Sequence, residues 1–406
     1  MPPRADICPV RQHRVGCRPA ALRALRRLLR WTLVLSLLVG IVGGCAPPPA
    51  ATVAAPASPL PDDDSLRQHL DEVLDWTYEN RHLNLRDHAA WQILHGVLAY
   101  QRSFLIETEP GGKRVSALDH LLAGGAMKGW TLTPGQVFDE QTGRRGLHAE
   151  LEPGSKTGQG HVDQWLAILA QCAYPSTQPI VLKGRTFTIR DMADQAQWEV
   201  PRNVQREYSW TLIGLSAYLP STAKWAAKDG REWSIEQLVD SEADQELETS
   251  ACGGTHRLSS LAMAWRRHVT QGGRVEGVWA KAEQKIAAGI ADAQRYQNPD
   301  GSFSSNYFER GGKATDLAQD IAASGHIFEF LSGAIPDGRL REPWLRSAAA
   351  YLCGVLDKTK EVPLECGGLY HAVQGSSCTA SASSEDALGP QLPHAVKLPP
   401  SNRALC

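Results

Sequence analysis

Between residues 65 and 375 apolar residues recur at helical spacing almost without a break. Leu66, Leu70, Val73 and Leu74 fall at i, i+4, i+7 and i+8; Val162, Trp165, Leu166 and Leu169 fall at i, i+3, i+4 and i+7, as do Leu258, Leu261, Ala262 and Trp265. Each set covers one face of a helix. Ser65 with Gln68, and Ser234 with Gln237, have capping-box spacing and mark helix starts. Only 180–189 has the pattern of a hairpin, turning at Lys183-Gly184. The predicted fold class is all-α.

The predicted helices alternate in character. One set is charge-rich: 65–79, 114–124, 189–199, 234–248, 277–296 and 342–357. The other is more apolar all round: 88–102, 161–173, 207–219, 255–268, 321–333 and 367–374. A helix with a charged stripe belongs outside, and one with little polar face belongs inside. Six outer–inner pairs, at roughly 52 residues each, lie at the upper edge of known repeat periods. The expected architecture is a six-hairpin α/α toroid, with six inner helices around an axis and six outer helices wrapping them. An irregular helical solenoid is the alternative.

The ends of the chain read differently. Arg4, Arg11, Arg14, Arg18, Arg23, Arg26, Arg27 and Arg30 are accompanied by one acid, Asp6, and followed by an apolar run from Trp31 to Val42. This describes an export signal, and the run is short of the ~20 residues of a membrane span. Val42-Gly43-Gly44-Cys45 resembles the bacterial lipobox. That resemblance implies diacylation of Cys45 and a mature chain that starts there. The expected organisation is a signal peptide at 1–44, a Pro/Ala-rich tether at 45–63, the helical domain at 64–375 and a disordered tail at 376–406. The protein is then extracytoplasmic, held by lipid on a bacterial cell membrane or outer membrane. With 42 Lys+Arg against 44 Asp+Glu the net charge is −2, which offers nucleic acid no attraction.

Gln297-Asn298-Pro299-Asp300-Gly301-Ser302-Phe303, following a helical stretch, resembles the repeat of squalene-hopene cyclases and protein prenyltransferases. In that repeat a Gln closes the outer helix and a Gly-x-aromatic turn leads to the inner one. The resemblance implies a terpenoid cyclase-like α/α toroid. It does not extend to the reactions. The Asp-x-Asp-Asp acid of the cyclases is missing, Asp62-Asp63-Asp64 sits in the tether, and Ser250 stands where the prenyltransferase zinc pattern needs Asp, two before Cys252.

Candidate chemistry gathers on the inner set. His95, His161, His256, His326 and His371 lie near the starts of five of these helices, and the sixth starts with Tyr208. Parallel inner helices would bring these positions to one mouth, where the positive helix ends keep a His neutral as base or ligand. His161, Tyr208, His256, His326 and His371 are thus the candidate catalytic residues. The competing reading is that each His satisfies backbone groups within its own helix pair.

Leu247-Glu248, then Cys252-Gly253-Gly254-Thr255-His256, parallels Leu364-Glu365-Cys366-Gly367-Gly368, then His371. Cys252, Cys366 and His371 would form a zinc site with an open position for water; lanthipeptide cyclases, also α/α toroids, are similar in carrying two Cys and one His at that mouth. A Cys252–Cys366 disulfide, or free buried thiols, is the alternative in an exported protein. Cys172 and Cys353 are expected as core thiols.

The functional expectation is a membrane-anchored enzyme whose His-lined funnel acts on a glycan or isoprenoid-like substrate. A non-catalytic ligand-binding or structural envelope lipoprotein is the alternative. Glycan cleavage would use Tyr208 or a His as base with Arg257 as carboxylate neutraliser, or a carboxylate pair drawn from Asp163, Glu207, Asp316 and Asp320. Trp91, Trp165, Trp210 and Trp265 suit either sugar stacking or core packing.

Overall fold

Helices occupy nearly all the predicted positions in the computed structural model, which describes residues 60–382 apart from 153, 154, 156, 204–206 and the side chains of 378–382. The predicted signal segment, Cys45 and most of the tether lie outside the described residues, as does the tail from 383. Twelve α-helices run in chain order among the described residues: α1 (Asp63–Asn80), α2 (Ala90–Tyr100), α3 (Ala117–Leu122), α4 (Gln164–Gln171), α5 (Ile189–Glu199) and α6 (Ser209–Tyr218). They continue as α7 (Ile235–Asp244), α8 (Thr255–Thr270), α9 (Val278–Arg295), α10 (Leu317–Ala334), α11 (Pro343–Lys358) and α12 (Cys366–Ala382). No helix among the described residues is long and apolar enough to cross a membrane.

Burial follows the predicted alternation. In α2, nine of eleven residues are buried, whereas α9 buries only Trp279, Ala282, Ile286, Gly289 and Ala293 of eighteen. The even-numbered helices pack in sequence, α2 on α4, α4 on α6, α6 on α8, α8 on α10, α10 on α12, and α12 back on α2. The first outer helix docks on the last pair, α11 and α12. Arg346 holds Asp63 at 2.7 Å, and Arg81 donates to the carbonyls of Thr359 (2.6 Å) and Val362 (3.0 Å). The first described helix is thereby joined to α11 and the segment that follows it.

Several predicted boundaries move. The cap of α1 is Asp62, whose carboxylate accepts from Ser65 N at 2.9 Å, so the helix begins inside the Asp run rather than at Ser65. Helix α12 continues to Ala382, beyond the expected end at 375. Gly375 lets it lie against the backbone of Glu329, and Ser376 and Ser377 donate back to the carbonyls of Ala372 and Val373. The all-α expectation holds only in its coarse form, because four two-stranded antiparallel hairpins accompany the helices.

These hairpins are β1 (Leu105–Glu107) with β2 (Arg114–Ser116), β3 (Trp130–Asp139) with β4 (Arg144–Leu151), β5 (Pro179–Leu182) with β6 (Arg185–Thr188), and β7 (Lys224–Ala226) with β8 (Glu232–Ser234). The third was predicted. Three of them share one device: the last strand residue, Ser116, Thr188 or Ser234, caps the following outer helix by accepting from the N–H three residues on. The three-residue strands β1, β2, β7 and β8 are too short to carry a period-2 signal. The long β3–β4 ribbon loses its alternation at bulges between Pro134 and Val137 and between Val137 and Asp139. It is held instead by α5, where Gln195 accepts from Gln136 N at 2.8 Å and Asp194 meets Arg144 at 2.6 Å.

The turn at Gln297 is built by its own side chain. The Gln297 amide donates to the Gly301 carbonyl (3.0 Å) and to the Trp344 carbonyl of α11 (2.8 Å), linking two outer helices. Gly301 has φ +91 and lies against the Ser347 backbone, where a Cβ would collide. Phe303 is fully buried, 6.2 Å from the Trp344 ring.

Candidate functional site

Four helices and the segment leading into a fifth contribute one histidine each to a single cluster. His95 lies in the second turn of α2, His161 just before α4, His256 in the first turn of α8, His326 midway along α10 and His371 in the second turn of α12. His326 is deeper in its helix than expected because α10 starts at Leu317, capped by Asp316 through Ala318 N (3.0 Å). His256 is central, with ring centroids 5.2 Å from His161, 5.5 Å from His326 and 5.6 Å from His371. His326 and His371 are 3.9 Å apart, and His95 is 5.1 Å from His371. Trp210 flanks His256 at 5.1 Å, and Trp91 flanks His95 at 4.4 Å.

Two imidazoles are held in one tautomer by their own helices. His95 Nδ1–H donates to the Trp91 carbonyl (2.6 Å) and His326 Nδ1–H to the Ala322 carbonyl (2.7 Å), leaving each Nε2 with a free lone pair. His256 is different: it is buried, and neither ring nitrogen has a hydrogen-bond partner. An imidazole orphaned at both nitrogens calls for a ligand, water or ion to complete it. The competing reading, in which each His serves its own helix pair, therefore describes His95 and His326 in part and fails for His256.

Enclosure favours the neutral form of four of the five imidazoles. Burial, followed by repulsion from neighbouring imidazoles, pushes His95, His326 and His371 down to about 3 and His256 well below the usual range. His371 Nδ1 is hydrogen-bonded to Glu329, whose carboxyl burial pushes up to about 8. Both directions favour uncharged partners, a carboxylic acid donating to a neutral ring. Glu329 was not predicted; the signal was present as His326-x-x-Glu329, one turn apart on a single helix face.

Two sets of donor atoms converge on His256. Cys252, His256 and His326 each offer an atom within 4.8 Å of the others, and so do His161, Glu207 and His256. Glu207 Oε1 lies 3.1 Å from His161 Nδ1. Despite burial, its hydrogen bond to His161 and the charge of Arg257 keep Glu207 below the usual carboxylate range. Cys252 sits in a left-handed turn at φ +48, followed by Gly253 (φ +60) and Gly254 (φ +83). A Cβ on Gly253 would strike the Tyr307 ring, and one on Gly254 would press on Leu247, so both glycines are required for that turn. Burial pushes the Cys252 thiol up to about 12.

The predicted metal set is thus rearranged. Cys252 groups with His256 and His326, not with Cys366 and His371. Cys366 begins α12, where its sulfur accepts from the Gln92 amide at 3.8 Å. All four described cysteines, Cys172, Cys252, Cys353 and Cys366, are free thiols, so the disulfide alternative is not formed. The two Cys-Gly-Gly stretches are not equivalent. Glu365 directly precedes Cys366 and caps α12 by accepting from Gly367 N and Gly368 N (both 2.8 Å). The extra Thr249-Ser250-Ala251 before Cys252 makes room for the left-handed turn instead.

Tyr208 packs its ring 6.0 Å from Trp233 on β8. Its N–H donates to Glu242 Oε1 at 2.7 Å. Arg257, expected to neutralise a substrate carboxylate, is ion-paired with Glu242 at 2.7 Å and is buried. Asp163 accepts from Thr211 Oγ1 (2.6 Å), Asp316 is a helix cap, and Asp320 holds Lys313 at 2.7 Å. Trp165 stacks on Trp130 at 5.5 Å in the core. No known protein-family model matches this chain, and no curated protein matches it either.

Proposed function

We propose that this chain is a lipid-anchored extracytoplasmic enzyme of α/α-toroid architecture, acting on a glycan at the histidine cluster between its inner helices. The observation that carries the reading is His256, buried among four other imidazoles with both of its nitrogens unpartnered. Support for the toroid comes from the cyclic packing of α2, α4, α6, α8, α10 and α12, together with the docking of α1 on α11 and α12. A terpenoid cyclase-like origin agrees with the Gln297–Phe303 turn and stays a proposal.

The surroundings favour a polar ligand over an isoprenoid, because imidazoles, Glu207 and Cys252 make up the convergent groups, with Trp91 and Trp210 beside them. His161, oriented by Glu207, is the natural general base or acid, since a carboxylate on Nδ1 leaves Nε2 for proton transfer. Binding of hexosamine oligosaccharides and of a farnesyl diphosphate to the wild-type protein and to His256→Ala tests the assignment. Saturable oligosaccharide binding lost in the variant is expected; binding of the isoprenoid alone would transfer the site to the other substrate class.

The near-complete burial of His95, His256, His326 and His371 favours a second reading, a ligand-binding lipoprotein without turnover. Oligosaccharide bound by the wild type and recovered unchanged after long incubation would select it. The anchor is tested separately. Palmitate labelling is expected in the wild type and not in Cys45→Ser, and label retained in the variant removes the lipoprotein assignment.

A further inference from the structure

The geometry points to a transition-metal centre at Cys252, His256 and His326, a zinc-type site that uses one thiolate and two imidazoles. Its three donor atoms come from a turn, the start of α8 and the middle of α10, and lie within 4.8 Å of one another. Around tetrahedral zinc such donors stand about 3.4–3.7 Å apart, as bond lengths of ~2.0–2.3 Å require. Closing the gap takes about an ångström of side-chain movement and no change in the fold.

Three independent features support a metal over a chance cluster. First, His256 has no partner for either nitrogen although it is buried, an arrangement that a bound ion would complete. Second, His326 already donates its Nδ1–H to the Ala322 carbonyl at 2.7 Å. That outer hydrogen bond is the usual companion of a metal-ligating histidine, because it turns the Nε2 lone pair towards the ion. Third, Cys252 is held at φ +48 by two glycines that tolerate no side chain. A left-handed non-glycine residue is strained and persists where the surroundings impose it. Here the turn delivers the sulfur beside His256, only four residues away in sequence.

Three protein ligands of N and S type suit zinc or cobalt and leave a fourth position for water or substrate. Binding exchanges the Cys252 thiol proton for the metal, and the proton leaves to solvent. His161 and Glu207 are not needed as ligands; they adjoin the centre through His256. This inference deepens the reading of the same site, but its test needs no substrate, so failure of one leaves the other standing.

Full-length protein, extracted in detergent and purified without chelator, is depleted of metal and titrated with Co²⁺. The expected result is one equivalent bound, with a thiolate-to-cobalt charge-transfer band in the near ultraviolet. Cys252→Ser should lose the band and weaken binding at least tenfold, and His326→Ala should weaken it similarly. Cys366→Ser should match the wild type in both. Should the substituted proteins fail to fold by circular dichroism, the wild-type band still decides whether a thiolate is a ligand. Absence of the band, no stoichiometric cobalt, or a band that survives Cys252→Ser and disappears in Cys366→Ser would each overturn the assignment.

Discussion

Glu207 Oε1 meets His161 Nδ1 at 3.1 Å, and the two side chains keep about a fifth of their surface exposed, at 19% and 22%. They form the open edge of a cluster whose other imidazoles are buried. A carboxylate in this position fixes the ring orientation and stabilises the imidazolium formed during proton transfer. On the enzymatic reading, Glu207→Gln keeps the shape and removes that charge, so turnover of a bound oligosaccharide should fall about 10²–10⁴-fold. Binding affinity should change little. Unaltered turnover would remove His161 from the chemistry.

His256 gives a prediction of opposite sign for stability and function. Its orphaned nitrogens are desolvated without compensation, which costs about 1–3 kcal/mol for each such group in a protein interior. In metal-depleted protein, His256→Leu should therefore be at least as stable as the wild type, and by about 1 kcal/mol more stable where the new side chain packs. Metal and oligosaccharide binding should both be lost. Urea unfolding of the two proteins provides the comparison, and a loss of several kcal/mol in the variant would show His256 to be a structural residue.

The buried pair behind the cluster is structural. Glu242 is fully buried and accepts from Tyr208 N, Ser209 Oγ and Arg257 Nη1, each at 2.7 Å. Burial raises its pKa, and Arg257 opposes that shift. Removing one member of a buried ion pair leaves the other uncompensated, so Glu242→Ala should cost about 3–5 kcal/mol. Denaturant midpoints measure this directly. A cost below 1 kcal/mol would mean that the pair opens to solvent and that Arg257 is available for ligand.

Acid should destabilise the fold through His95, which lies outside both metal-ligating sets. Its folded pKa of about 3 is below the ordinary histidine value of 6.5, so the unfolded chain binds the proton more readily. The stability contributed by the neutral ring is complete above pH 6.5 and is lost as pH falls from 6.5 towards 3. By pH 5 the loss is about 2 kcal/mol. Unfolding free energies at pH 7 and pH 5 should diverge by about that amount more in the wild type than in His95→Leu. Equal losses in the two proteins would show that the site hydrates and accepts the proton without unfolding.

Local pattern determined much of this protein. The alternation of charge-rich and apolar helices is a property of sequence, because a polar stripe can face only water and a helix without one can only be enclosed. The same pattern revealed the hairpin at Lys183-Gly184 and the placement of a histidine on five of the inner helices. Tertiary structure decided which of those residues meet. The spacing from Cys252 to His256 is local, but their union with His326 depends on how far α10 extends before that residue, which Asp316 sets by capping the helix. Cys366 was matched to Cys252 by motif, yet a Glu immediately before it draws it into α12, whereas three more residues leave Cys252 in a left-handed turn. Arg257 had the right chemistry and was captured by Glu242, an acid on another helix that no spacing connects to it. The neutral form of four of the histidines, too, is favoured by enclosure, which only packing creates. Periodicity reports which face of an element is buried; depth, helix offset and competing partners are set only when the elements pack, and those three decide the site.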